Sequence, residues 1–248
     1  MILGYYATFG LTARLKFATR PEQRIGSDEM WDNAESALRG ALETTGLPYE
    51  LKEGDGAFYG PKIDFDVLDS IGRAWQLGTI QLDYAAPERF ELEYTGEDNT
   101  AHRPVVIHRA ISGSFERFMG ILIEHFAGAF PVWLAPEQVR VVPIVDDYAP
   151  EARAAVARLR DAGIRATCDD RNETLSYRIR ESELMKVPYT AVVGKREATD
   201  GTLAVRARGA DGRKQEILSV DDFLARILEE VRTRALPELA SVPDTTSV

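Results

Sequence analysis

The segment I-H-R-A-I-S-G-S-F-E-R-F-M-G-I-L-I-E-H-F-A-G-A-F-P-V-W-L-A, residues 107–135, sets a histidine, two serines and an arginine around the start of an otherwise almost wholly apolar helix. A helix hydrophobic nearly all round is buried, so its polar residues need a reason. Ser112 stands where an N-cap belongs. Ser114 and Arg117, three residues apart, share one face a turn from the helix start, where unpaired amides favour an anion. Two readings stay open on this segment alone. One is a nucleotide site; the other is a core helix capped by Ser112, with Arg117 paired to a carboxylate such as Glu116 or Glu124.

Upstream, residues 5–10 read as the end of a helix and 14–18 alternate as a strand. Ser27 caps a helix with Asp28 and Glu29 in its first turn, running to about residue 45 before Gly46. Strands over 57–67 and 74–82 flank a polar turn at 69–72 and predict a hairpin; a polar loop at 96–103 then leads to a strand over 105–109. Antiparallel sheet plus helices is the expectation. Downstream, 139–145 reads as a buried strand, and Pro150 opens a helix with Ala152, Ala155, Val156 and Leu159 on one face, ended by Gly163. A strand over 164–167, a helix over 174–186, a strand over 189–193, a hairpin of 202–208 with 214–218 and a helix over 220–234 follow. Strands alternating with helices imply βαβ units and a mixed sheet. The predicted fold is α+β followed by α/β, with domains at 1–134 and 135–234 and a mostly disordered tail at 235–248 that carries two prolines.

Composition narrows the class. A 248-residue chain with 44% hydrophobic residues can build one large core or two modest ones. Cys168 is the only cysteine, which excludes an intrachain disulfide, and the lack of a long apolar run points to a cytoplasmic protein with no membrane span. A net charge of -10 argues against coating nucleic acid by bulk electrostatics, while leaving room for a local basic face.

The helix segment closely resembles the third signature motif of class II aminoacyl-tRNA synthetases, the threonyl-tRNA synthetases in particular. T-R-P-E-Q-R-I-G-S-D-E-M-W (19–31), G-A-F-Y-G-P-K-I-D-F (56–65) and W-Q-L-G-T-I-Q-L-D-Y (75–84) resemble consecutive upstream blocks; D-R-N-E (170–173) and V-P-Y (187–189) resemble the anticodon-binding domain. The resemblance implies part of a class II antiparallel-sheet catalytic domain followed by a mixed-sheet anticodon-binding domain. It implies ATP, Mg2+ and Zn2+ as cofactors, and threonine and its tRNA as partners. It also implies a homodimer for the full-length protein.

By the same resemblance, Lys62 and Arg117 are the catalytic cations. Arg117 lies against adenine, and Lys62, Gln76, Thr79 and Ser114 join it at ATP-contacting positions. Tyr59 and Gln81 fall on the amino-acid side. Gln76 and Gln81 are an odd number of residues apart, so a regular strand points them to opposite faces; a bulge at Gly78 would let both serve one pocket. His108 matches one ligand of a zinc whose other ligands are a cysteine and a histidine, and neither His102, His125 nor Cys168 matches those. Both are expected upstream of Met1, with the first motif and much of the second, so the chain corresponds to a carboxyl-terminal half that is not expected to form adenylate alone. Asn172, Glu197 and Arg206 match positions that contact anticodon bases, with Arg171, Arg178, Arg180 and Lys186 available for phosphates. A truncated, non-catalytic RNA-binding module and a class II synthetase of prolyl or glycyl specificity are the alternatives.

Overall fold

The computed structural model describes residues 1–209 and 214–237. The chain divides into two compact units, Met1–Leu122 and Ile123–Val248. In the first, α1 (Ile2–Thr8) and β1 (Ala13–Ala18) precede α2 (Asp28–Glu43), β2 (Tyr49–Lys52), β3 (Lys62–Leu68) and β4 (Ala74–Asp83); α3 (Ala85–Arg89), β5 (Tyr94–Thr95), β6 (Ala101–His102), β7 (Val106–Ala110) and α4 (Phe115–His125) follow. The main sheet has the order β2-β1-β3-β4-β7. It is antiparallel from β1 to β7, as expected, but β1 and β2 run parallel. The α2 crossover between those two strands imposes this, since only a long connection can return a chain to the same direction.

Strand alternation gives the sheet two unlike faces. Leu15, Phe17, Ile63, Phe65 and Val67 point one way, buried beneath helices that include α2, whose Trp31, Ala34, Leu38 and Leu42 are buried. Asp64 and Asp66 point the other way and are also buried. β3 begins at Lys62, later than residue 57, because Gly60 must pass against β4. A Cβ there would lie 1.7 Å from the Leu82 carbonyl oxygen.

The second unit comprises β8 (Val139–Pro143), a 3-10 turn (Asp146–Tyr148), α5 (Ala149–Asp161), β9 (Ala166–Cys168), α6 (Leu175–Leu184), β10 (Tyr189–Val193), α7 (Lys195–Asp200), β11 (Thr202–Ala207), β12 (Glu216–Ser219) and α8 (Val220–Thr233). Its sheet has the order β12-β11-β10-β8-β9, with β9, β8 and β10 parallel and β11 and β12 antiparallel, the mixed sheet that βαβ alternation predicts. Val139, Val141, Ala191, Leu203 and Val205 pack with Val156 and Leu159 of α5 and Phe223 and Ile227 of α8. On the opposite face α6 contributes Ser182, whose hydroxyl meets that of Thr190 at 2.6 Å. Positions 210–213 of the predicted hairpin and 238–248 of the predicted tail lie outside the described residues. No helix among the described residues is long and apolar enough to cross a membrane.

Candidate functional site

The expected bulge exists, and it aligns the two glutamines. Asp66 pairs with Gln76 and Phe65 with Gly78, so Leu77 is the extra residue on β4, adjoining the glycine where the break was expected. Past it, Thr79 pairs with Asp64 and Gln81 with Lys62, which puts Gln76, Thr79 and Gln81 on the face that carries Lys62, Asp64 and Asp66. On the far side β7 sets His108 opposite Gln81.

These side chains pair in local groups along that face. The Asp64 carboxylate, 3% exposed, accepts Lys62 Nζ at 2.7 Å and Gln76 Nε2 at 2.6 Å. Lys16 on β1 pairs with Asp66 at 2.5 Å, which holds its ammonium above the usual lysine range. Tyr59 donates its hydroxyl to Gln81 Oε1, and its ring meets that of His108 edge to face at 5.8 Å. Burial, with the Asp83 charge, pushes the Tyr59 phenol up against the opposing pull of Lys62. Thr79 Oγ1 is buried without a hydrogen-bond partner. Leaving such a group unpaired costs about 1–3 kcal/mol, which a hydrogen-bonding ligand would recover.

At the head of α4 the structure corrects the capping assignment. Gly113 adopts a left-handed φ of +66°, where an added Cβ would lie 3.0 Å from the Leu77 carbonyl oxygen, and this turn delays the helix. The hydroxyl that accepts the Arg117 N–H, at 3.2 Å, is therefore that of Ser114 rather than Ser112. Arg117 donates from a terminal guanidinium nitrogen to the Gln76 carbonyl at 2.9 Å, and its guanidinium lies 5.9 Å from the centre of the Trp75 ring. The helix is also less buried than its composition suggests. Phe118, Ile121 and Leu122 are buried, whereas Phe115, Met119 and Ile123 are exposed.

His108 Nε2 lies 2.8 Å from Asp83 Oδ2. Burial raises the Asp83 carboxyl, but the Ala86 N–H and His108 outweigh it and hold the group below the ordinary carboxylate range. His102 is tied to Asp98 and Thr100 in the β5–β6 hairpin, and the His125 ring meets that of Phe126 edge to face at 4.8 Å. Among the described residues no group of three His, Cys, Asp or Glu side chains could hold a metal ion. The residues present do not fit a three-ligand zinc site.

In the second unit Asn172 is exposed in the loop after β9, and Glu197 lies in α7 after β10. Because β9 and β10 are parallel to β8, these two residues follow strand ends on one edge of the sheet. Arg206 pairs in register with Thr190 near the start of β10, toward the other edge, and meets Glu183 at 3.2 Å. The Glu197 carboxylate accepts the Gly194 N–H at 2.9 Å, closing the N-terminus of α7. Arg178 is only 4% exposed and donates to the Asp169 carbonyl at 2.8 Å, so it cannot serve as the outlying phosphate contact expected of it. Arg171 is held by Asp169 and Glu181, Lys186 caps the Ala127 carbonyl, and Arg180 is exposed.

Sequence reasoning missed Asp64, Asp66, Asp83 and Trp75 as parts of the site. The alternation K-I-D-F-D-V carries the signal for the first two: both aspartates fall on the face opposite Ile63 and Phe65.

The model of the tRNA synthetase class II core domain (G, H, P, S and T) matches residues 6–126, and that of the anticodon binding domain matches 138–230. A threonine–tRNA ligase of Desulforamulus reducens is 53% identical over 234 residues, 94% of this chain and 36% of the relative. That of Myxococcus xanthus is 55% identical over 232 residues, 94% of this chain and 35% of the relative. The chain thus spans little more than a third of the length of these curated relatives. The crystal structure of the RNA binding domain of threonyl-tRNA synthetase from Cryptosporidium parvum Iowa II superposes with a TM-score of 0.87 at 38% identity, covering 92% of this chain and 57% of that one. A class II core at 6–126 and an anticodon-binding fold at 138–230, together most of the chain, with threonine–tRNA ligases more than 50% identical along it, mean that this chain belongs to the threonyl-tRNA synthetase family of class II aminoacyl-tRNA synthetases.

Proposed function

We propose that the chain serves threonine–tRNA ligation, its first unit binding ATP and threonine and its second reading the tRNA anticodon. The observation that carries this is one face where Tyr59, Gln81 and His108 adjoin the Lys62–Asp64–Gln76 group, Lys62 pairing in register with Gln81 and Arg117 donating to the Gln76 carbonyl, although these residues lie far apart in sequence. The threonine relatives, at 53% and 55% identity, favour this amino acid over proline or glycine.

In this reading a threonine carboxylate oxygen bonds to the α-phosphorus of ATP as the bond to the bridging oxygen breaks and pyrophosphate leaves. The acyl group then passes to a ribose hydroxyl of the tRNA. Negative charge accumulates on the phosphates, and in this reading Lys62 and Arg117 neutralise it. A planar guanidinium can also stack on adenine, as an ammonium cannot. Gln76, Thr79 and Ser114 supply hydrogen bonds to the nucleotide. Tyr59 and Gln81 orient the amino acid. Mg2+, when bound with ATP, would screen the triphosphate. The setting is cytoplasmic translation, and the full-length enzyme works as a homodimer.

Calorimetric titration of the chain with ATP tests the reading. Lys62→Ala and Arg117→Ala should each weaken binding by about tenfold or more, since hydrogen bonds to charged groups contribute roughly 1.5–3 kcal/mol. Failure of the wild-type chain to bind ATP, or equal binding by both variants, would contradict it.

A further inference from the structure

Arg117 is exposed, yet its guanidinium is not left to wander. One terminal nitrogen is fixed on the Gln76 carbonyl at 2.9 Å, and the Trp75 ring centre lies 5.9 Å from its central carbon. The indole is fixed in turn. Its N–H donates to Asp69 Oδ2 at 2.9 Å, the same oxygen that accepts Arg73 Nε at 2.6 Å. The other carboxylate oxygen accepts the backbone N–H groups of Ile71 at 3.1 Å and Arg73 at 2.8 Å. Asp69 is 7% exposed, so this anchor at the β3–β4 turn is buried.

We infer that Trp75, held by Asp69, is a positioning residue that presents the Arg117 guanidinium for stacking on a purine base. This rests on the nucleotide reading of the polar face. The indole approaches the guanidinium from one side, its ring centre 5.9 Å from Cζ, which leaves the other side for a base. A long, unrestrained arginine loses rotamer freedom when it binds, whereas one already set against a ring and a carbonyl loses less. The arrangement therefore bears chiefly on purine affinity, since a guanidinium meets phosphate through its N–H edge and a base through its side.

The test titrates the full chain with ATP and, separately, with inorganic tripolyphosphate. Trp75→Leu should weaken ATP by about fivefold while leaving tripolyphosphate within about twofold, and Trp75→Phe, which keeps an aromatic face, should recover most of the loss. Asp69→Asn, which disturbs the anchor and leaves the ring intact, should show the same selective loss and serves if Trp75→Leu does not fold. An equal loss for both ligands, or unchanged ATP affinity in Trp75→Leu and Asp69→Asn alike, overturns the inference. Wild-type chain that binds ATP no better than tripolyphosphate overturns the purine site itself, and this inference with it.

Discussion

Tyr59 and His108 meet edge to face at 5.8 Å, although one lies in the loop before β3 and the other on β7. Tyr59 reaches there because Gly60 lets the chain pass close to Leu82, and its hydroxyl then finds Gln81. Tyr59→Phe removes the donor and leaves the Gln81 oxygen unpaired. The expected cost is about 1 kcal/mol in urea unfolding of the first unit. An unchanged midpoint would mean that the hydroxyl pairing contributes nothing.

Asp64 should matter more. It compensates Lys62, whose side chain is 13% exposed, so Asp64→Ala strands a largely buried ammonium and an amide together. Removing one partner of a buried pair typically costs about 3–5 kcal/mol. Chemical denaturation followed in the first unit should show a loss of this order. A loss below about 1 kcal/mol, the exposed-pair range, would show that water already compensates Lys62.

Acid should weaken the first unit in a defined direction. Burial works to raise the Asp69 carboxyl, but hydrogen bonds from Trp75, Arg73 and Ile71 prevail and hold it far below the ordinary carboxylate range. A carboxyl depressed in the folded state contributes stability above its unfolded pKa of about 4, and that contribution is lost as pH falls below it. Asp83, also depressed, acts in the same direction. Urea midpoints at pH 6 and pH 3 should fall in the wild type and fall less in Asp69→Asn. Parallel losses in both proteins would exclude Asp69 as a source.

Particular residues show how much of this was legible beforehand. The β3–β4 hairpin and the mixed second sheet follow from period and turn chemistry, while the break beside Gly78 follows only once the resemblance assigns the oddly spaced Gln76 and Gln81 to one pocket. The cap was misplaced because both Ser112 and Ser114 suit the role, and only the left-handed turn at Gly113 decides between them. α7, K-R-E-A-T-D, has no apolar period to reveal it, so the capping bond of Glu197 was hidden as well. Arg178 read as a surface charge because its class is rarely buried; its partners are the backbone carbonyls of Asp169 and Ile144, which no side-chain pattern announces.

The claim that this chain serves threonine–tRNA ligation is tested most directly at the second unit, by titrating the full chain with threonine-tRNA anticodon stem-loops carrying the native or a swapped anticodon at two salt concentrations. Arg206→Ala should lose about 1–3 kcal/mol and relax discrimination at one base, whereas Arg180→Ala should weaken every stem-loop alike and shallow the salt slope. The native anticodon should bind at least about fivefold more tightly than the swapped one, as a base-directed hydrogen bond of that size requires. Equal affinity for the two stem-loops would contradict anticodon reading by Asn172, Glu197 and Arg206.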